Sequence, residues 1–443
     1  MPQPEPPVAE LSRLVREAQS GERIPSLSAA AVGNGEVVWQ EALGLARIEE
    51  KEAATPDTQY RVGSITKTFT AAAIMQLRDA GELDLDDRLE RHVPEAHHGG
   101  PTIRRMLAHM SGLQRELPGY VWETLEFPDR EGLVSGLADA RQVLPPGARW
   151  HYSNLAFALL GEVVARRSGL DYEDYVRERL LEPLGLRRTT FDQHLPAANA
   201  YYVEPYADVV RPEQNLIKGA FAAAGSLWST TADLARWGVF LVEGAEGVLR
   251  KEAAQEMRRF QSMADLEKWK LGWGLGLMLM REDDRLFIGH GGAMPGFLAG
   301  LAISPDGRSG AVVLVNSGAG VKIDELTRKL AVKAAEAYPP EPEPWHPVED
   351  VPAELEPLLG RWWSEGSEIV IRYRNGKLEA RPAEAAPADP PAVFEPDGSD
   401  RFRGVSGPEE GEALEVVRGE DGTIEKLYWA TYPMTRTPQS FSR

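Results

Sequence analysis

The sequence predicts an α/β domain whose antiparallel sheet is flanked by helices, followed by a small all-β barrel. Strand-like apolar runs occur near the start of the chain and return after residue 270, with mainly helical periodicity between them. A proline-rich, acidic stretch over 339–352 then reads as a semi-rigid linker. Beyond it, short alternating runs bounded by turns such as Asn375-Gly376 are typical of a barrel. We therefore expect domains over 1–338 and 353–443.

The first strands are predicted to form a hairpin. The runs 26–32 and 37–44 are apolar and are separated by Asn34-Gly35, a dipeptide favoured in two-residue hairpin turns. A short amphipathic segment, 8–18, precedes them. The hairpin and the late strands are expected to pair in one sheet, into which the helical middle of the chain is inserted, forming a helical subdomain.

The other elements follow from periodicity and from turn residues. The predicted helices are 64–81, 102–109, 155–167 and 321–337. The predicted late strands of the sheet are 270–280, 285–291, 297–303 and 310–316. The predicted strands of the barrel are 358–363, 368–374, 401–405, 413–417 and 424–430.

Composition argues against several classes of function. The 443 residues carry 49 basic and 68 acidic side chains, and the resulting net charge of −19 disfavours binding to nucleic acid or to an anionic membrane. Cysteine is absent, which excludes thiolate catalysis and cysteine-ligated zinc. The sequence contains no apolar run of bilayer length, and its first residues do not have the pattern of a signal peptide. We expect a cytoplasmic protein, or a periplasmic or secreted one if a leader was removed.

Ser64 and Lys67 form the single Ser-x-x-Lys of the chain, at the start of the predicted helix 64–81. Residues at i and i+3 share a helix face, so the hydroxyl and the amine can touch. The positive end of an apolar helix is unfavourable for a cation. Both this helix end and burial lower the pKa of a lysine, however, and a lysine that acts as a general base needs a lowered pKa. The alternative is an N-cap serine followed by a lysine that points into solvent.

Tyr152-Ser153-Asn154 precedes the predicted helix 155–167 and allows two interpretations. In the first, Ser153 or Asn154 caps the helix and Tyr152 packs. In the second, the phenol and the amide point into a cleft. There a tyrosinate shuttles protons, and Asn154 holds a substrate amide or fixes Lys67.

His290-Gly291-Gly292 lies at the end of a strand-like run and also allows two interpretations. The glycines are either a strand edge with an incidental histidine, or a surface on which a substrate backbone can lie and pair. In the second case Gly291 and Gly292 bind substrate, and the backbone N–H groups of Ser64 and Ala293 form an oxyanion hole.

The order of these three motifs resembles that of the serine β-lactamase and penicillin-binding-protein superfamily. The chain is most similar to the class C β-lactamase-like branch, a group of serine hydrolases that includes esterases and D-amino-acid peptidases. The similarity spans most of the first 340 residues, including TQYRVGSITKTFTAAAIMQLRDAGELDLDDRLERHVPE and LPPGARWHYSNLAFALLGEVVARRSGL.

The resemblance implies a role for each motif residue. Ser64 would be the nucleophile, Lys67 and Tyr152 the proton-transfer pair, and Asn154 an active-site hydrogen-bonding residue. His290 would occupy the third-motif position. The implied fold is that of a β-lactamase/transpeptidase-like domain. The Gly-Arg-Trp that opens the tail is similar to the start of a lipocalin-like barrel, which follows the catalytic domain in some peptidases of this branch.

Two departures from the family pattern bear on substrate. The third motif is usually Lys-Thr-Gly, whose lysine attracts a substrate carboxylate, whereas His290 is mostly neutral near pH 7. This disfavours a β-lactamase and favours esters or peptides recognised by other features. Met110 stands where the family commonly has threonine, and we interpret that position as structural.

These residues predict a serine hydrolase that works through an acyl-enzyme on Ser64, acting on short or D-residue-containing peptides. A carboxylesterase is the alternative, and a β-lactamase is less favoured. A non-enzymatic alternative is a penicillin-binding sensor that deacylates slowly. The expected partner is a small-molecule or peptide substrate, with homo-oligomerisation left open. No metal and no cofactor are expected.

Overall fold

A computed structural model describes residues 7–97, 100–214, 219–318, 320–339, 344–386 and 389–441. The chain divides into two compact units, Met1–Glu341 and Pro342–Arg443. Part of the predicted linker, 340–343, lies outside the described residues.

Strands of the first unit come from both ends of its sequence. They are β1 (Ser26–Gly33), β2 (Glu36–Arg47), β3 (Glu52–Ala53), β4 (Tyr60–Arg61), β5 (Tyr201–Val203), β6 (Val210–Pro212), β7 (Trp228–Ser229), β8 (Ser262–Met263), β9 (Leu271–Trp273), β10 (Met278–Glu282), β11 (Arg285–Met294), β12 (Phe297–Ile303) and β13 (Ser309–Val315).

Among the described residues, nine of these strands form one antiparallel sheet in the order β3-β2-β1-β13-β12-β11-β10-β9-β8. The predicted pairing of the first hairpin with the late strands is confirmed, because β1 pairs with β13 from Leu27↔Val315 to Gly33↔Ser309. Both strands are fully buried, as strands covered on both faces must be.

Helices cover the two faces of the sheet and form the insertion. They are α1 (Pro7–Gly21), α2 (Thr66–Asp79), α3 (Ile103–Leu107), α4 (Val121–Thr124), α5 (Arg130–Ser135), α6 (Asn154–Ser168), α7 (Tyr172–Val176), α8 (Ala222–Gly225), α9 (Thr231–Glu243), α10 (Lys251–Met257) and α11 (Ile323–Ala337). On one face α11 packs on β13, β12 and β1, with α1 against α11. On the other, α9 packs on β1, β2, β12 and β13. None of the described helices combines the length and apolar character needed to cross a bilayer.

The predicted strand 270–280 is wrong as a single element. The structure has β9 and β10 with a turn between them, because Gly276 has a positive φ of 71° and approaches α2 closely. A Cβ on Gly276 would lie 2.4 Å from the Cβ of Ala71, so only glycine fits there. This turn brings the end of β9, with Trp273, beside the start of α6.

The second unit is an eight-stranded antiparallel barrel among the described residues. Its strands are β14 (Gly360–Ser364), β15 (Ser367–Arg374), β16 (Lys377–Pro382), β17 (Ala392–Pro396), β18 (Arg401–Ser406), β19 (Ala413–Arg418), β20 (Ile424–Trp429) and β21 (Tyr432–Met434). The barrel is nearly closed, since Trp363 and Thr435 exchange backbone hydrogen bonds of 2.8 and 2.9 Å. Apolar side chains fill it around the fully buried Trp362, whose indole N–H donates to the Leu358 carbonyl at 2.7 Å. This is consistent with the predicted lipocalin-like barrel, although β16, β17 and β21 were not predicted.

Candidate active site

A cavity of about 810 Å³ brings the three motifs together. It lies between the 3₁₀ turn Gly63–Ile65, the start of α6 and strand β11. The residues of the motifs that line its wall are Ser64, Tyr152, Asn154, His290, Gly291, Gly292 and Ala293. Lys67 lies beneath Ser64, within the protein. In the part of the chain that is described, no group of carboxylate and imidazole side chains is arranged to hold a metal ion.

Ser64 lies in the 3₁₀ turn that leads into α2, and Lys67 lies in the first turn of that helix. Lys67 Nζ is 3.0 Å from Ser64 Oγ. The lysine is fully buried, so the alternative of a solvated lysine is wrong. Burying an amine is unfavourable unless it is hydrogen-bonded, and this contact satisfies part of that need.

A backbone carbonyl on α8 fixes the other side of Lys67. Nζ donates to the Ala224 carbonyl at 2.6 Å. Helix α8 is held in turn by Thr70, whose hydroxyl donates to the Ala223 carbonyl at 2.6 Å. A Cβ on Gly161 of α6 would lie 2.5 Å from the Ala223 Cβ, so α6 and α8 are in close contact. The amine is therefore positioned by closely packed helices.

The environment of Lys67 favours its neutral form. Burial lowers the pKa of this amine well below its usual value, and the charge of Arg115 lowers it further. Glu116 opposes these effects and raises it. A neutral amine 3.0 Å from the Ser64 hydroxyl can accept its proton.

Tyr152 completes the group around Ser64. The Ser64 hydroxyl hydrogen-bonds to the phenol, and Lys67 Nζ lies 5.0 Å from the ring centroid. The ring of His109 stacks on the tyrosine at 4.2 Å. Burial raises the pKa of Tyr152, although the Ser64 bond and the charge of Arg115 both lower it. This favours a protonated phenol over the tyrosinate considered from the sequence.

The residues after Tyr152 combine the two interpretations of their motif. Ser153 is the N-cap of α6, because its hydroxyl accepts the Ala156 backbone N–H at 3.0 Å. Asn154 faces the cavity, and its amide donates to the two Glu116 oxygens at 3.0 and 2.9 Å. Asn154 is thus oriented by Glu116, while the amine of Lys67 bonds elsewhere. The amide oxygen of Asn154 is buried and has no hydrogen-bond partner among the described residues.

His290 is a neutral imidazole in this environment. Burial lowers its pKa to about 3; a protonated Lys67 would lower it further, and a hydrogen bond to the Gly291 carbonyl opposes this. Nδ1 lies 2.6 Å from that carbonyl oxygen, so it carries the proton and donates. Nε2 is then a lone-pair acceptor, buried and unpartnered within the described residues.

Strand β11 has one open edge beside the cavity. Its pairing with β10 ends at Gly289↔Met278, whereas its pairing with β12 continues to Met294↔Phe297. Residues 290–294 therefore have a partner strand on one side only. Backbone groups on such an edge can pair with an extended peptide.

Close backbone contacts place Ser64 against this edge. A Cβ on Gly63, whose φ is +51°, would lie 2.7 Å from the Ala293 nitrogen. A Cβ on Gly292 would lie 2.0 Å from the Val62 carbonyl oxygen. The absence of both side chains lets the turn before α2 lie directly on β11, which brings the backbone of Ser64 close to that of Ala293.

The sequence did not identify the charged residues of the wall. Glu116, Glu213 and Asp324 line the cavity together with Arg115, which pairs with Glu116 at 3.1 Å. These residues lie in separate loops and at the start of α11. The one sequence feature that could have located any of them is that Arg115 and Glu116 directly follow Ser-Gly-Leu-Gln. Besides Tyr152, the larger aromatic residues of the wall are Trp122, Trp150, Tyr201, Tyr202, Phe221 and Trp273.

Each of the two units matches a known family. Residues 11–336 match the beta-lactamase family. Residues 351–436 match a domain of unknown function, DUF7586.

Curated relatives align with most of the chain. It is 30% identical over 340 residues to penicillin-binding protein 4 of Amycolatopsis lactamdurans, an alignment that covers 71% of this chain and 87% of the relative. It is 29% identical over 375 residues to the putative beta-lactamase-like protein 1 of Homo sapiens, covering 76% of this chain and 72% of the relative.

Solved structures are similar as well. A D-stereospecific amidohydrolase from Streptomyces superposes with a TM-score of 0.64 at 27% identity, covering 73% of this chain and 98% of that one. An octameric penicillin-binding protein homologue from Pyrococcus abyssi superposes with a TM-score of 0.66 at 24% identity, covering 97% of this chain and 100% of that one. These likenesses confirm the predicted fold.

Proposed function

Because the chain belongs to the beta-lactamase family, as its three motifs predict, we propose that it is a serine hydrolase that forms an acyl-enzyme on Ser64. The observation that carries the proposal is the contact of 3.0 Å between the Ser64 hydroxyl and the fully buried amine of Lys67. A serine is a weak nucleophile until a base takes its proton, and burial supplies that base by lowering the pKa of the lysine.

In the acylation step, Lys67 Nζ accepts the proton of Ser64 Oγ while the oxygen attacks the substrate carbonyl carbon. The carbonyl oxygen gains the negative charge and is held by the backbone N–H groups of Ser64 and Ala293. Donors aimed at a developing oxyanion each contribute about 10²–10³-fold in rate. The substrate backbone lies along residues 290–294, on the open edge of β11.

Proton transfer through Tyr152 then releases the leaving group. The protonated Lys67 returns its proton to the phenol, and the phenol gives its own proton to the departing nitrogen or oxygen. On the Tyr152 side of the cavity, the unprotonated Nε2 of His290 is available to accept a hydrogen bond from the substrate. Water later attacks the acyl-enzyme: the phenol of Tyr152 takes the water proton while passing its own to Lys67, and Lys67 returns a proton to Ser64 Oγ as the acyl bond breaks.

For the substrate, we propose a short peptide or amide with a free amino group, in which a D-residue is accepted. The wall of the cavity carries three carboxylates against one arginine, and that balance attracts an ammonium group. The unpartnered amide oxygen of Asn154 suits a substrate N–H. The likeness to the Streptomyces D-stereospecific amidohydrolase supports the same class. The neutral His290 disfavours β-lactams, whose carboxylate needs a cation.

A labelling experiment tests the acyl-enzyme. We expect a fluorophosphonate probe to modify Ser64, located by peptide mass spectrometry, with the Ser64→Ala variant as background. The same preparation is then offered D- and L-aminoacyl anilides, p-nitrophenyl esters and nitrocefin. We expect the highest kcat/KM for a D-aminoacyl anilide.

Other results of this experiment would indicate a different function. Highest turnover of simple esters would replace the peptidase assignment by a carboxylesterase. Labelling with no turnover of any substrate would favour an acylated sensor. A probe that leaves Ser64 unmodified would overturn the acyl-enzyme itself.

The rate of labelling should depend on pH in a way set by Lys67. Below the lowered pKa of this amine the lysine is protonated and cannot accept the serine proton, so the rate should fall on the acidic side. Above that pKa the rate should stay flat, until Tyr152 ionises at a pKa that burial raises above its usual value. A rate that instead climbs until about pH 10.4, the ordinary pKa of lysine, would contradict a neutral Lys67.

A further inference from the structure

We propose that Asp324 selects the leaving group, favouring one that carries a positive charge and rejecting one that ends in a free carboxylate. This inference rests on the proposed function. It specifies which leaving groups the substrates of the proposed hydrolase carry. Asp324 is the second residue of α11 and lines the cavity.

The carboxylate approaches the open edge of β11 at Gly291. A Cβ on Gly291 would lie 2.9 Å from Asp324 Oδ1, so the missing side chain gives this oxygen access to the strand. Gly291 itself is half-buried, and Asp324 is accessible to solvent from the cavity. A substrate backbone paired with residues 290–294 would therefore meet Asp324 directly.

The direction along β11 determines which part of the substrate Asp324 contacts. The proposed oxyanion donor is Ala293, whereas the proposed proton donor Tyr152 lies beside His290 at the other end of the segment, with their ring centroids 6.3 Å apart. The leaving group takes a proton and so must depart on the His290 side. Gly291 is two residues from Ala293 in that direction, about 7 Å at the rise of a strand. Asp324 thus faces the first residue beyond the scissile bond.

The charge of Asp324 is available to a ligand. Within the described residues its carboxylate has no hydrogen-bond or ion-pair partner. The walls of the cavity reduce its hydration and raise its pKa, and the charge of Arg328 opposes this. Arg328 lies one turn further along α11 and pairs with Glu282 at 2.7 Å, and Glu325 pairs with Lys329 at 2.6 Å. The charges of Arg328 and Glu325 are therefore already paired, whereas that of Asp324 is not.

Chemical complementarity then defines the ligand. A basic side chain or an amine on the leaving group would pair with Asp324. A terminal carboxylate in the same place would be repelled by Asp324. The chain also lacks the lysine with which a Lys-Thr-Gly motif would attract that carboxylate. An amide-blocked terminus is neutral and falls between the two.

A substrate series isolates this contact. Three substrates share a D-alanyl group and differ in the leaving group: glycine with its free carboxylate, glycinamide, and ethylenediamine with its free amine. We expect kcat/KM to rise in that order in the wild-type protein. The Asp324→Asn variant should reduce the ratio between amine and carboxylate by about tenfold, as expected for one charge at close range. Added salt should reduce the wild-type ratio in the same direction.

Glu325→Gln is the matched control, because it removes one negative charge at the next position of α11, outside the cavity wall. Its ratios should equal those of the wild type. Equal ratios in the wild type and in Asp324→Asn, with turnover preserved, would overturn the inference and leave Asp324 as a residue that stabilises the helix N-terminus. Hydrolysis of none of the three substrates would overturn the peptidase assignment and this inference with it.

Discussion

Replacing Lys67 with methionine should lower the rate of Ser64 acylation by about 10²–10⁴-fold, the usual contribution of a general base. Methionine has a similar length and volume but lacks the nitrogen that lies 3.0 Å from Ser64 Oγ. The serine would then keep its ordinary reactivity. The second-order rate of fluorophosphonate labelling measures the effect, with Ser64→Ala as background.

The fold should survive this change, since the site of Lys67 is fully buried and methionine is apolar. Thermal unfolding of the variant checks that assumption. Lys251→Met makes the same substitution at an exposed position and should label at the wild-type rate. Wild-type labelling by Lys67→Met would show that another group deprotonates Ser64.

Replacing Gly292 with alanine should reduce both stability and activity. The new Cβ would lie 2.0 Å from the Val62 carbonyl oxygen, a backbone atom that cannot rotate away. Overpacking of this kind costs about 1–3 kcal/mol or more, and the turn that carries Ser64 must move away from Ala293. Separating the two proposed oxyanion donors should lower acylation by about 10²–10³-fold, the cost of one lost donor.

Gly21→Ala is the comparison for that variant, because a Cβ on Gly21 would meet no atom within 4 Å. It should unfold at the wild-type temperature and label at the wild-type rate. If Gly292→Ala behaved in the same way, the close approach of Val62 to β11 would not be needed for the site.

Residues whose role depends on local sequence could be predicted. The repeat of Ile65, Phe69 and Ala73 identified helix α2, and the hydroxyl of Ser153 marked the start of α6. The spacing of Ser64 and Lys67 allowed a contact, because a helical turn fixes their separation, but only the order of the three motifs favoured that contact over a solvated lysine. The motif residues are brought together in one cavity, while their catalytic roles stay a proposal.

Residues whose role depends on tertiary contacts could not be predicted. Glu116 and Asp324 look like ordinary solvated acids in the sequence, and only the fold brings the start of α11 to the open edge of β11. The hydrogen bond from Lys67 to the Ala224 carbonyl could not be predicted, because every residue has such a carbonyl and no side chain marks this one. Strand β16 was missed because its charged residues alternate with few apolar ones, and the 270–280 run concealed a turn at Gly276.

The pairing of β1 with β13 has a consequence for how the protein becomes active during synthesis. Ser64 and Ala293 are about 230 residues apart in the sequence, and the sheet that joins them closes only when β13 is available. Contacts of such long sequence separation form slowly, and chains emerge from the ribosome with the N-terminal part first. Ser64 and Lys67 therefore leave the ribosome long before the proposed site can assemble, and we expect a nascent chain shorter than about 315 residues to lack the proposed acylation of Ser64.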